Sequence, residues 1–272
     1  MAAFSDEEKR ILANVLPGVA AVLRSPLNNL HMAAQRLAQR LAQRQGDSDE
    51  AAVMRQSYYR MLRLVGNLAM GPELASDKPF ETRNEELAAL LDELCRQADS
   101  IAREAGVEVR FDCRERYVVA AVDRTYWERL VWNLLSNALK ATPRGGTVTV
   151  TLEVRGGQVL LRVKDTGRGI PAERMETLFV RWAGEAQVMP PAYGMGLGLP
   201  ICRRIAEGHG GRLLLESWEG EGTLVTVAIP HVRRDGGQLR EGQYDYAGGF
   251  SHVMMELSDA LPYRAFYEKH LD

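Results

Sequence analysis

The sequence is poor in several things that would each have narrowed its role. It has three cysteines, Cys95, Cys113 and Cys202, far apart and with no C-x-x-C pair, which argues against a zinc knuckle or a disulfide framework and for a reduced compartment. Basic excess is missing: 34 Lys and Arg stand against 36 Asp and Glu, for a formal net charge of -2. A nucleic-acid binder is therefore not expected, and any phosphate should be held locally. No apolar run approaches the roughly 18 residues of a membrane span, and the start, "MAAFSDEEKR", is acidic. The expectation is a cytoplasmic chain with no membrane sensor of its own. A Walker lysine after the glycines is also lacking, which excludes a P-loop enzyme.

What is there begins with helical periodicity. From Glu7 to Arg44 the apolar residues Leu12, Val15, Leu16, Val19, Leu23, Leu27, Leu30, Leu37 and Leu41 recur at three-and-four spacing, which predicts one long amphipathic helix. "RQGDSDE" breaks it. Val53, Met54, Met61, Leu62, Val65 and Leu68 then repeat the period until Gly71 and Pro72, which are expected to stop the second helix. A hairpin of this kind cannot bury its stripe alone, so pairing with a second copy as a four-helix bundle is favoured over packing on the rest of the chain.

Past Pro79 helical and alternating segments interleave. "EELAALLDELCRQADSIAREAG" and "RTYWERLVWNLLSNALKAT" read as helices, and "VEVRFDC" reads as a strand. "TVTVTLEVRGGQVLLRVKD" reads as a hairpin turning at Gly156 and Gly157. "PICRRIAEGHGGRLLLESWEGEGTLVTVAIP" gives helix, strand, turn, strand. The fold class is α+β: a helical hairpin at 1–76, a two-layer α/β sandwich with a mixed, largely antiparallel sheet at 80–231, and a linker with an amphipathic segment, "FSHVMMELSDAL", at 232–272. That last segment is expected to pack on its own domain, with docking of a partner as the alternative.

Two glycine loops, "DTGRGIP" from Asp165 and "YGMGLGLP" from Tyr193, invite a phosphate, because glycine lets backbone N–H groups close on an anion. The first also fits a dinucleotide fingerprint, with Glu185 at the distance of a ribose-binding acid. That fingerprint needs parallel strands in a βαβ unit, whereas the strands feeding this loop read as an antiparallel hairpin.

The order of the segments is more specific than any one of them. "NLLSNALK" at 133–140, "DTGRGIP", "LFVRW" at 178–182, "GMGLGL" and "GEGT" at 220–223 resemble the N, G1, F, G2 and G3 boxes of sensor histidine kinases, whose ATP-binding fold is shared with gyrase B and the heat-shock chaperones. The resemblance covers about residues 80–230. It implies ATP and Mg²⁺ as cofactors, with Asn137 the metal ligand and Asn133 four residues before it on the same helix face. Lys140 is placed to reach a phosphate, Asp165 to accept the adenine amino proton, and Gly167 and Gly169 to shape the nucleotide's wall. Gly194, Gly196 and Gly198 would form the lid over the triphosphate, and the Thr223 hydroxyl would complete the adenine pocket.

By the same resemblance the hairpin is the dimerisation and phosphoacceptor domain, whose box has the form His-Glu-Leu-Arg-Thr-Pro-Leu. This chain reads Ala21-Val22-Leu23-Arg24-Ser25-Pro26-Leu27. The nucleophile and the acid are both absent. Pro26 either kinks the helix after that position or stands first in a new helix capped by Ser25. His31 is a weak substitute acceptor, since ten residues along a helix amount to ~15 Å of rise and ~80° of rotation. The implied function is an Mg-ATP-binding, histidine-kinase-like homodimer in two-component phosphorelay signalling, an ATP-dependent phosphotransferase by family. Autophosphorylation at the usual site is not expected of it. The implied partners are a receiver domain or a partner kinase. The alternatives are a silent pseudokinase that docks partners under nucleotide control, and a serine kinase of the anti-sigma type.

Overall fold

The computed structural model describes residues 49–75, 79–172, 175, 198–234 and 251–267. The expected first helix, with Ala21, Val22, Pro26 and His31, lies outside the described residues, as do Gly194, Gly196 and the stretch 178–182. The chain divides into two compact units. One holds 49–75 and 251–267, and the other holds 79–234.

In the first unit α1 spans Asp49–Ala75. The stop expected at Gly71 and Pro72 is a correction, because the helix runs through both. A proline removes one N–H and crowds the preceding turn, but only three residues follow it, so it ends this helix late rather than at once. Tyr58 and Val65 are buried here, with Leu62 and Ala69 packed against them. The segment 251–267 folds onto the same helix. It comprises α5, His252–Leu257, capped by Ser251, and a 3-10 turn at Tyr263–Phe266.

In the second unit β1 (Arg83–Glu86) and β3 (Val119–Val122) form a small antiparallel pair separate from a five-stranded sheet. The sheet is built from β2 (Glu108–Cys113), β4 (Thr147–Arg155), β5 (Gln158–Asp165), β6 (Arg212–Trp218) and β7 (Gly222–Pro230), in the order β2-β4-β5-β7-β6. Only β2 and β4 run parallel; every other neighbouring pair is antiparallel. The sheet is mixed and largely antiparallel, as expected, and the β4–β5 hairpin removes the dinucleotide fingerprint.

The alternation explains the layering. Val148, Val150 and Leu152 on β4, Val159, Leu161 and Val163 on β5, and Val225, Val227 and Ile229 on β7 are all buried. The helices α2 (Leu87–Ala102), α3 (Arg124–Ala141) and α4 (Gly198–Gly208) pack on β2, on β4, β5 and β7, and on β6 and β7 respectively. Trp127, Leu130, Trp132, Leu134 and Leu135 are buried on α3, which is enclosed nearly all round over 129–136. Each such leucine contributes about 1.5–3 kcal/mol relative to an exposed one.

The helix expected to start at Glu85 starts instead at Leu87, because Glu85 and Glu86 belong to β1. Glu86 serves as the N-cap: Oε1 accepts from Ala88 and Val118 N–H and Oε2 from Ala89 N–H. A cap at this position satisfies amides that the first turn leaves without partners.

Beyond β7 the chain returns to its point of entry. Ala121 N–H donates to Val232 O. Asn84 Nδ2 donates to Arg234 O (2.8 Å), Arg234 N–H donates to Asn84 Oδ1 (2.8 Å), and Arg234 Nε donates to Thr82 Oγ1.

Candidate nucleotide site

The site gathers where β5 ends. Asp165, its last residue, is 4% exposed. Its Oδ1 accepts two backbone hydrogen bonds, from Gly167 N–H at 2.8 Å and from Thr223 N–H at 3.2 Å. Among the described residues Oδ2 accepts none. Burial pushes the Asp165 carboxyl above the ordinary carboxylate range, and the two N–H groups pull part of that back.

Two glycines let the neighbouring chain come this close. A Cβ on Gly222 (φ +112°) would lie 2.0 Å from Asp165 O, and one on Gly169 (φ +65°) would lie 2.0 Å from Trp218 O. Only glycine adopts both the backbone conformation and the approach. The turn 219–221 is thereby held against the loop that follows Asp165, with Gly220 N–H donating to Arg168 O (2.8 Å).

Thr223 stands beside Asp165. Its N–H is spent on Asp165, and its hydroxyl pairs with Ser217 Oγ at 2.9 Å. Ser217 Oγ also accepts from Ile170 N–H (2.9 Å) and lies 3.1 Å from Gly222 O. This serine knits the loop after β5 to the β6–β7 turn. Sequence reasoning passed over it, because an isolated serine on an alternating strand carries no signal.

The other half of the site stands on α3. Asn133 is buried and donates from Nδ2 to Arg129 O (3.0 Å), while Asn137, one turn on, is half-buried. Lys140 is exposed in the last turn. Ala141, at the helix end, accepts from Arg168 N–H (3.3 Å), so α3 finishes against the loop that follows Asp165. Gly198 opens α4 beside the two amides: a Cβ there would lie 3.3 Å from Asn133 Oδ1 and 3.6 Å from Asn137 Nδ2. Asp165, Gly167, Gly169 and Thr223 therefore share one corner, Asn133, Asn137 and Gly198 another, and Ala141 joins them. Among the described residues no group of His, Cys, Asp and Glu gathers as a metal site. A hard cation here would depend on amide oxygen and on oxygens that a ligand brings.

Residues 122–233 match the family described as histidine kinase-, DNA gyrase B-, and HSP90-like ATPases. Over 233 residues, 84% of this chain, it is 32% identical to the adaptive-response sensory kinase SasA of Synechococcus sp. (strain CC9902) and covers 60% of that protein. Sensor histidine kinase ZraS of Escherichia coli (strain K12) is 28% identical over 231 residues, 83% of this chain and 48% of ZraS. Residues 122–233 are a domain of that ATPase family, and the chain is similar to sensor histidine kinases. A match to the crystal structure of full-length ShkA in complex with AMPPNP, with a TM-score of 0.63 at 24% identity over 79% of this chain and 45% of that one, shows the same fold. The histidine kinase homologue spans 60% or less of the length of these relatives. No helix among its described residues is long and apolar enough to cross a membrane.

Proposed function

We propose that this chain binds Mg-ATP in the corner between α3, the loop after β5 and the first turn of α4, and acts in two-component signalling as a homodimer of its helical unit. The observation that carries the reading is Asp165. With Oδ1 held by the N–H groups of Gly167 and Thr223, Oδ2 is left to accept an exocyclic amino proton. An adenine offers that donor. A guanine would present a carbonyl there and set lone pair against lone pair.

The residues fit the cofactor. Gly198 brings the amide-rich start of α4 to Asn133 and Asn137 without a side chain between them, which suits a polyphosphate and its cation. Asn137 would ligate Mg²⁺, and Lys140 would supply a mobile positive charge. Gly194 and Gly196 would close over the phosphates. Bound there, ATP supplies a γ-phosphoryl group for transfer. Ala21 has no nucleophile and Val22 no base, so no phosphohistidine forms at the usual position. A receiver domain or a partner kinase is the expected docking partner.

Calorimetry tests the nucleotide: Mg-ATP binds the unmodified protein, and Asp165→Asn or Asn137→Ala weakens binding at least ~tenfold, about 1.4 kcal/mol. No binding by the unmodified protein would sink the reading. The second reading, a docking module that transfers no phosphate, is favoured by Ala21 and Val22 themselves. Labelled γ-phosphate separates the two. Acid-labile label is expected only in Ala21→His with Val22→Glu, and equal label in the unmodified chain would make another side chain, His31 first, the acceptor. Acid-stable label would point to the serine-kinase alternative.

A further inference from the structure

The segment 251–267 lies on one face of α1, and that face is not the apolar stripe. At ~100° per residue, Asp49, Ala52, Arg55, Gln56, Tyr59, Arg60 and Arg63 fall within ~140° of the helix surface, whereas Tyr58, Leu62, Val65 and Ala69 gather on the other side. The attachments are largely polar. Arg55 Nε donates to Phe266 O (2.7 Å), and Gln56 Nε2 donates to Leu261 O (2.6 Å) and to Ser258 O (3.1 Å). Arg60 Nε donates to Ser258 O (3.1 Å). Arg63 Nη1 meets Asp259 Oδ2 at 3.1 Å, and its Nε lies 3.6 Å from Glu256 Oε2. Glu256 is fully buried, with His252 Nε2 3.5 Å from its other oxygen. Phe266 packs on the Tyr59 ring at 5.7 Å, and Asp49 accepts from the Tyr263 and Tyr267 hydroxyls.

Two features make this attachment conditional. A six-residue helix and a four-residue turn are too short to hold their shape alone, so the segment is ordered only while it is docked. That ordering entropy offsets much of what the buried Met254, Leu257, Leu261 and Phe266 contribute. The balance then falls to the Arg63, Glu256 and Asp259 cluster. A buried ion pair adds little over apolar packing while it is intact and is costly once one partner is lost.

We propose that residues 251–267 are a detachable clip, a ligand in cis for the face of α1 formed by Arg55, Gln56, Arg60 and Arg63. Its docking gives the unit that holds 79–234 a second, non-covalent tether to α1. The first tether is the connection at 76–78. The second leaves the ATP-binding unit at Arg234, beside the point of entry at Asn84, and runs through 235–250 to the clip. Because the clip face and the apolar stripe are distinct, α1 can hold both its clip and a bundle partner. The proposal holds whether or not ATP binds.

A protease site placed at Gly236–Gly237 of the full chain tests it. After cleavage the tail should co-elute with the rest of the protein. In Glu256→Lys, which sets a cation against Arg63, tail retention should fall at least tenfold while the thermal transition of the ATP-binding unit stays unchanged. A tail that leaves the unmodified protein on cleavage, or one that stays bound in Glu256→Lys, overturns the clip. In a second variant, Arg60→Cys with Asp259→Cys, a short bifunctional maleimide should give a monomer-sized product that runs faster than the unreacted chain on a denaturing gel, and unchanged mobility would overturn the docked clip. A dimer-sized product would mean that copies exchange tails, and the cis assignment would fall.

Discussion

His209 shows how much one side chain can hold in place. Asp123 N–H donates to its Nε2 (2.9 Å), so in the neutral ring the proton sits on Nδ1 and is given to Ile205 O (2.7 Å). The ring edges onto Phe80 and Trp127, at 5.0 and 5.8 Å between centroids. Burial, the largest influence, holds its pKa below the ordinary 6.5, so the folded state takes up the proton less readily than the unfolded chain. Its contribution is therefore complete above about pH 6.5 and is lost as pH falls toward the depressed native value. We expect the denaturation midpoint of the ATP-binding unit, followed by Trp127 fluorescence, to drop between pH 7 and 5. His209→Leu should flatten that dependence and lower stability by about 1–3 kcal/mol, because Asp123 N–H loses its acceptor. The residues of the corner around Asp165 differ in how legible they were. Asp165 was readable because it stands in an ordered series of boxes. That Thr223 also spends its backbone N–H on Asp165 was not legible, since composition does not name a backbone donor. Ser217 was invisible.

The elements divide in a similar way. Long segments, α3 and the β4–β5 hairpin above all, were legible within a residue or two, the helix because of its length and apolar density and the hairpin because its apolar residues alternate onto one buried face. β1 and β3 were not. "RNEE" is acidic and polar and merges into the helical pattern of α2, and "VAAV" is four residues with no outer polar face to alternate. Their pairing is decided by tertiary context, with Glu86 bridging the strand to the helix. Glu86→Ala removes acceptors from Ala88, Ala89 and Val118 at once and should destabilise the unit by about 1–2 kcal/mol, read from denaturant melts. The stop at Gly71 and Pro72 failed for a related reason, since a breaker near a helix end shifts the boundary instead of fixing it. At the β6–β7 turn, Gly222→Ala forces a Cβ into Asp165 O and should cost at least ~2 kcal/mol. ATP affinity should fall with it, because Thr223 N–H moves away from Oδ1.

At the scale of the molecule, the texture of the sequence changes at Pro79, where the second compact unit begins, but the association of 251–267 with α1 was not legible. Nothing in a short amphipathic stretch names the surface it will meet. The helical unit is expected to dimerise, and a monomer by sedimentation at micromolar concentration would contradict that. The reciprocal pair between Asn84 and Arg234 has its own consequence for the ATP-binding unit. Its two ends lie side by side, so the order in which its strands are synthesised is not dictated by its architecture. A circular permutant that joins residue 234 to 79 through a short glycine bridge, and opens at the exposed turn Gly156–Gly157, should fold to the same sheet. Its thermal midpoint should stay within a few degrees of the parent unit, and loss of the folded state on permutation would show that the adjacency of the ends carries less than the hydrogen bonds suggest. Such a unit can be inserted into another protein, or carried between proteins, as a closed cassette.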